Sequence, residues 1–490
     1  MAALTGAPEA PAAGLAPFTE RSGLEIAAAI RAGRVRSREV VGAHVERLRE
    51  IGPRVNALAA PRFERALAEA EAADARIAGA AGDEELPPYL GVPCTIKEAI
   101  AVEGMPNCTG LDARREHRAA ETAPVAERLL ASGAILLGVT NTSELCMWPE
   151  TGNRVYGRTG NPYDPRRTAG GSSGGEGAAI GSGGSPIGLG SDVGGSIRTP
   201  SFFCGIFGHK PTPGLVPNAL SYPEPDGSAA ERLLCTGPMT RRAEDLMPIL
   251  RIIAGPDPRD DFAREMPLGD PASVDLAGLD VLVGEETSVV PPSRELRDSM
   301  DRAAAALARA GARPRRVPIR AMRRAYALYV TALNDGESSI AKMLADEGCE
   351  PLTMRTIFSR RGPHTAPIKM LAALERLAAL QPGGLTRRAL AAGHAFAREV
   401  ADTIGDGVLL HPPHPRAAPR HHGILLRPFS ITPVVLFNLA ATPVTQVPLG
   451  LNSRGLPLGV QVVAGPGRDH VSIAVALELE RALGGWVPPR

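Results

Sequence analysis

Residues 170–201 read GGSSGGEGAAIGSGGSPIGLGSDVGGSIRTPS, and twelve of these 32 residues are glycine. Glycine at that density has two physical uses. It makes a flexible linker, or it lets backbone run where no side chain would fit. A linker has no need of the apolar inserts Ala178-Ala179-Ile180 and Ile187-Gly-Leu189, nor of the charges Asp192 and Arg198. The segment is therefore expected to be packed backbone. It does not read as a nucleotide cradle, because G-x-x-x-x-G-K-[ST] is absent and Val193 stands where G-x-G-x-x-G needs its third glycine. No cofactor is expected.

Two nucleophile arrangements compete for the same segment. Gly170-Gly171-Ser172-Ser173-Gly174 matches the G-x-S-x-G elbow, which needs a downstream acid and a histidine. His470 or the group His411, His414, His421 and His422 would supply it, although that group also reads as a proline-rich surface loop. Its spacing fits no common zinc pattern. Ser339-x-x-Lys342 is a chance match, since neither S-D-N nor K-T-G accompanies it. The alternative is a serine pair served by a lysine. A serine hydroxyl needs a base, and lysine is one only when neutral. Burial in apolar surroundings lowers a lysine pKa from about 10.4. Lysine occurs only at positions 97, 210, 342 and 369, and Lys97 ends the run Gly91-Val-Pro-Cys-Thr-Ile96. On position alone, a structural lysine beside Glu98 accounts for it equally well.

The rest of the chain sets the frame. With 490 residues and 44% apolar content it can bury a large core. A net charge of +1 leaves no basic excess for nucleic acid. No apolar run is long enough to span a membrane, and the Ala/Pro-rich start lacks a signal-peptide pattern. Six cysteines without a CxxC pair read as reduced thiols in a cytoplasmic protein. Residues 1–18 are expected to be a flexible tail and 19–490 a single domain. Helical spacing marks Val40–Ile51, Phe63–Ile77, Glu121–Gly133, Pro292–Gly311, Ser472–Leu483 and most of Met322–Gly405. Tyr89–Ile96, Ala134–Thr140, Pro443–Leu449 and Leu458–Val463 read as buried strands, and strands and turns are expected from 202 to Gly255. The alternation is that of an α/β fold.

The decisive stretches are GVPCTIKEAI, EGMPNCTGL, TNTSELCMW, YGRTGNPYD, the glycine/serine block, FFCGIFGHKPTPGLVPN, LLCTGPMTRRAEDL, HPRAAPRHH and PVTQVPLGLNSRGLPLGVQVVAGP. Together they resemble the amidase signature family, closest to its fatty-acid amide hydrolase type 2 branch, from about residue 35 to the C-terminus. The resemblance implies one α/β/α domain around a large, mixed, twisted sheet. By position it makes Lys97 the base, Ser172 the bridging serine after a cis peptide bond, and Ser196 the acyl nucleophile. The N–H groups of Val193, Gly194, Gly195 and Ser196 become the oxyanion hole. Cys146, Met147 and Trp148 are placed on the acyl side of the pocket, though core packing would also explain them. The implied substrate is a small-molecule amide, with ester or carbamate as further options. A homodimer without a stable membrane anchor is compatible with this. The alternative in the same family is the glutaminase subunit of a tRNA-dependent amidotransferase. The region 322–405 departs most from the family, and the N-terminal membrane segment of lipid-acting relatives has no counterpart.

Overall fold

The computed structural model describes residues 17–81, 84–224, 233–285, 290–319, 322–333, 339–359, 362–378 and 383–490. Most of the expected tail, residues 1–16, lies outside these, and Phe18–Glu20 already forms a 3-10 turn.

Fully buried strands need apolar character on both faces rather than alternation. That is the pattern of β2 (Pro93–Lys97), β3 (Ile135–Thr140) and β6 (Ile187–Asp192), every residue of which is buried. These three run parallel, with β2 between β3 and β6. They belong to one sheet of eleven strands in the order β1-β3-β2-β6-β8-β7-β12-β13-β11-β9-β10. Here β1 is Leu58–Pro61, β7 Phe207–Lys210, β8 Cys235–Thr240, β9 Asp280–Glu285 and β10 Arg313–Pro318. β11 is Val408–His411, β12 Val444–Leu451 and β13 Pro457–Ala464. β9 runs parallel to both β10 and β11, whereas β6, β8, β7, β12, β13 and β11 pair antiparallel in turn, so the sheet is mixed. The short pair β4 (Gly152–Asn153) and β5 (Gly157–Arg158) forms a separate ribbon.

Successive side chains of a strand point to opposite faces. In β3, Ile135 and Leu137 meet α2 (Ser37–Val55) and α3 (Phe63–Gly79), together with Ala178 and Ala179. Leu136 faces the other way, into a larger core, and Val139 joins it because the β2–β3 register shifts between Leu136 and Val139. That core is completed by α1 (Gly23–Arg31), α4 (Pro124–Ala131), α7 (Leu246–Ile253), α8 (Arg294–Arg309) and α15 (Asp469–Leu483). The sheet is thus covered on both faces, the three-layer arrangement that the sequence implies. α7 corrects the expectation of strands and turns up to Gly255. Its LMPILRII sequence buries Leu246, Met247, Ile249, Leu250 and Ile253 along one side, and Pro248 falls in the first turn, where a missing N–H is tolerated.

The glycine/serine segment is packed backbone, as expected. It folds into α5 (Gly174–Gly181), β6 and α6 (Arg198–Phe203). The helical region resolves into α9 (Met322–Leu333), α10 (Ile340–Asp346), α11 (Met354–Phe358), α12 (Ala366–Ala378) and α13 (Gly383–Ile404). It is an insertion between β10, at the edge of the sheet, and β11. α14 (Thr432–Leu439) then leads into β12. Among the described residues no helix is long and apolar enough to cross a membrane.

Candidate active site

The site forms where β2 and β6, side by side in the sheet, both end. Lys97 closes β2 and has no exposed surface. Its Nζ lies 2.6 Å from Ser172 Oγ and 2.8 Å from Ser191 Oγ, to which it donates. Burial lowers the Lys97 pKa, opposed by the Cys146 thiol, Asp192 and Glu98. Ser172, Ser191 and Cys146 are the hydrogen-bond partners of Nζ among the described residues, and none is a carboxylate, so the neutral form carries little penalty here.

Ser172 follows a cis Gly171–Ser172 bond. Its carbonyl accepts from Thr142 Oγ1 at 2.9 Å and Thr151 Oγ1 at 3.1 Å. Glycine is needed before it for space. A Cβ on Gly171 would stand 2.7 Å from the Trp148 carbonyl oxygen and 2.8 Å from the Glu150 nitrogen. Ser173 ties this turn to the next loop, its N–H donating to the Ser196 carbonyl at 3.3 Å and its Oγ to the Ser191 carbonyl at 3.2 Å.

Ser196 is half-buried, and its side chain has no hydrogen-bond partner among the described residues. The loop that presents it is shaped by Asp192. This carboxylate accepts from the N–H of Gly195 at 2.7 Å and of Ile197 at 3.1 Å, and it pairs with Arg198. Burial alone would push the Asp192 carboxyl up, but Arg198 and Asn438 hold it well below the usual carboxylate range. One expectation changes here. The Gly195 N–H is committed to Asp192, so it is not a free oxyanion donor. The N–H groups of Val193, Gly194 and Ser196 have no partner among the described residues.

The histidines expected for a G-x-S-x-G elbow are elsewhere. His411 and His414 are buried and bond backbone carbonyls, and His421 meets the Pro165 carbonyl. No histidine bonds Ser172 or Ser196 among the described residues; Ser172 Oγ is met instead by Lys97 Nζ.

Cys146, Met147 and Trp148 do not line a common wall. Leu145 and Cys146 both adopt positive φ, 54° and 58°, which turns successive side chains apart. Cys146 points to Lys97. Met147 joins an apolar cluster with Leu145, Ile340, Leu344 and Ile368 of the insertion. Trp148 packs instead with Phe202, Phe203 and Ile424.

Three features escape the sequence reading. Ser191 is a second hydroxyl on Lys97. Glu176, in α5, is fully buried, has its two carboxyl oxygens against the hydroxyls of Thr95 and, at 2.8 Å, Thr140, and is pushed by burial to a pKa of about 8. It is thus largely protonated at neutral pH and leaves little negative charge near Lys97. Its signal was present as the lone acid within Gly174-Gly-Glu-Gly177. The third is the anchoring of the insertion beside the site: Glu144 meets His364 Nδ1 and the Thr365 N–H, each at 2.7 Å, and Arg114 pairs with Glu347 at 2.5 Å.

Lys97 and Ser172 thus meet in the interior, and Ser173 ties their turn to the loop that carries Ser196. The Amidase family model matches residues 39–472, and the chain belongs to that family. It is similar to fatty-acid amide hydrolase 2 of Homo sapiens, 39% identical and aligned over 96% of this chain and 91% of that one. It is likewise similar to fatty-acid amide hydrolase 2-B of Danio rerio, at 42% identity with the same coverage. Among solved structures, 6-aminohexanoate cyclic dimer hydrolase superposes with a TM-score of 0.82 at 26% identity, over 97% of this chain and 99% of that one. The protein is an amide-hydrolysing enzyme.

Proposed function

We propose that the enzyme cleaves amides of small or acyl-chain carboxylic acids through an acyl-enzyme on Ser196, with Ser172 as bridge and Lys97 as base. The 2.6 Å contact between Lys97 Nζ and Ser172 Oγ, wholly buried, is the observation that carries this reading. Neutral Lys97 takes a proton from Ser172, and Ser172 takes one from Ser196 as its Oγ attacks the carbonyl carbon. The oxygen that becomes negative meets the N–H groups of Val193, Gly194 and Ser196. Each such donor typically lowers the barrier by about 3–4 kcal/mol. Ser172 then delivers a proton to the amide nitrogen, which leaves poorly without one. Water hydrolyses the ester on Ser196, with the same relay as base, and releases the acid.

The apolar cluster around Met147 and the insertion supports an acyl side there, with esters and carbamates as further substrates. The six free cysteines support work in the cytoplasm. A fluorophosphonate label followed by peptide mapping tests the assignment. Label is expected on Ser196 and lost in Ser196→Ala; label on Ser172 would overturn it. Hydrolysis of a simple anilide by the purified chain, with no partner protein, separates this reading from a glutaminase subunit.

A further inference from the structure

The loop that ends on Ser196 is open on one side. Val193, Gly194 and Ser196 keep accessible surface, whereas Gly195 is buried with its N–H on Asp192. The insertion places a hydroxyl against this loop. A Cβ added to Gly194 would lie 2.3 Å from Tyr329 Oη, so only a residue without a side chain leaves room for it.

Apolar packing alone holds the Tyr329 ring. It is 7% exposed and clusters with Leu233, Ala332 and Val435, and with Val193 of the loop. A phenylalanine would fill that space equally well, so it is the hydroxyl that needs an explanation. Buried tyrosine hydroxyls usually have a partner. Tyr329 Oη bonds no described residue, and it is not among the unpartnered polar atoms that are sealed from solvent. A molecule in the site can therefore reach it. Burial, with Asp192 and Tyr326 nearby, pushes the phenol pKa up, so at neutral pH the group keeps its hydrogen and can donate it. Tyr326, one turn earlier on α9, has its ring against Phe429 instead, at 5.2 Å between centres.

The reaction orients the substrate at this loop. With Ser196 as nucleophile, the carbonyl oxygen rests on the loop N–H groups and the amide nitrogen turns to Ser172, which returns its proton. The acyl chain is what remains for the insertion side. The carbon next to the carbonyl, and whatever it carries, is then the part of that chain nearest to Tyr329 Oη. A plain hydrocarbon chain would strip the hydroxyl of water and return nothing, whereas an oxygen at that place would accept its hydrogen.

We propose that Tyr329 is a specificity-determining residue whose hydroxyl donates to an oxygen carried on the carbon next to the scissile carbonyl. The enzyme then favours α-alkoxy and α-hydroxy acyl amides over plain acyl chains of the same length. This rests on Ser196 as the nucleophile.

Two anilides of matching shape test it. Methoxyacetyl p-nitroanilide differs from butyryl p-nitroanilide by an ether oxygen in place of one methylene. kcat and KM are measured for both with the wild-type chain and with Tyr329→Phe. The intrinsic reactivities of the two anilides cancel when their ratio of kcat/KM is compared between the enzymes. Tyr329→Phe is expected to lower the methoxyacetyl-to-butyryl ratio by about fivefold or more, the weight of one neutral hydrogen bond, with the difference in KM. An unchanged ratio overturns the proposal. Equal losses on both substrates would put the hydroxyl on the oxyanion, and no loss on either would leave it a packing group. If the variant does not fold, fluorotyrosine placed at 329 carries the test. Its fluorine signal should move further with methoxyacetamide than with butyramide, and equal shifts overturn the proposal. So does failure of the wild-type chain to turn over either anilide, since neither acyl group then reaches the loop. Fluorophosphonate labelling reports on the nucleophile independently: label on Ser196 with an unchanged ratio fails the role of Tyr329 alone.

Discussion

Arg198 grips Asp192 with two nitrogens, Nε to Oδ2 and Nη2 to Oδ1, both at 3.0 Å, and neither side chain is exposed. The same guanidinium reaches the Val434 carbonyl at 3.0 Å and Gln461 Oε1 at 2.8 Å, joining the serine loop to α14 and β13. Arg198→Met would leave the carboxylate buried and unpaired, a loss of about 3–5 kcal/mol. Because Asp192 also organises the N–H groups of Gly195 and Ile197, Asp192→Asn should lower kcat more than it raises KM. Denaturant titration and steady-state kinetics check the two claims. A drop in KM-linked binding alone, with kcat intact, would separate the pair from the chemistry.

Lys97 titrates below its ordinary range because it is buried. If it acts as the neutral base, kcat/KM rises with pH through that depressed pKa and levels off above it. Lys97→Ala should lose about 10²–10⁴-fold at neutral pH, the usual weight of a positioned base, and the rising limb should disappear with it. A variant that keeps the same limb would assign the titration to another group.

Glu176 offers a pH signature in stability rather than rate. Its folded pKa of about 8 exceeds the ordinary value of 4.5, so between these values the folded state holds more protons than the unfolded one. Stability from this group is present at low pH and declines as pH rises through that window. Glu176→Gln copies the protonated shape and should flatten this part of the profile. Urea midpoints from pH 5 to 8.5 are the measurement; parallel profiles for the two proteins would refute the assignment.

The Tyr329 hydroxyl lies against Gly194, in the loop before Ser196. A Cβ on Gly194 would stand 2.3 Å from Tyr329 Oη and 3.0 Å from its Cζ. Gly194→Ala should therefore cost at least tenfold in kcat, matching overpacking of about 1–3 kcal/mol. Adding Tyr329→Phe removes the nearer atom and should recover part of the loss. Equal rates for the single and double variants would place the damage elsewhere.

How far the sequence led depended on what kind of contact decided each residue. The burial of Lys97 was legible because its apolar run is local, whereas its meeting with Ser172 and the cis turn before that serine came only with the family resemblance. The fate of the Gly195 N–H was not legible, since it depends on where the Asp192 carboxylate settles three residues away. Cys146, Met147 and Trp148 read as one unit until two positive φ values sent them in different directions. The lone acid Glu176 drew no notice in a segment of glycine and serine. α7 was missed because Pro248 reads as a helix breaker unless the helix start is known.

The insertion leaves the sheet at β10 and returns at β11, and only β9 lies between them. Because β10 and β11 both run parallel to β9, its ends are fixed about 10 Å apart across the sheet and about 13 Å apart along the strands, Pro318 lying level with Glu285 and Val408 with Val281. A stretch of chain suspended from two such fixed posts can be lengthened, trimmed or exchanged while the strands keep their register. Lys97 and the serines sit on other strands and loops and would not move. Selection for a new substrate, in nature or in the laboratory, could rewrite most of residues 322–405 while keeping Tyr329 against Gly194 and His364 on Glu144.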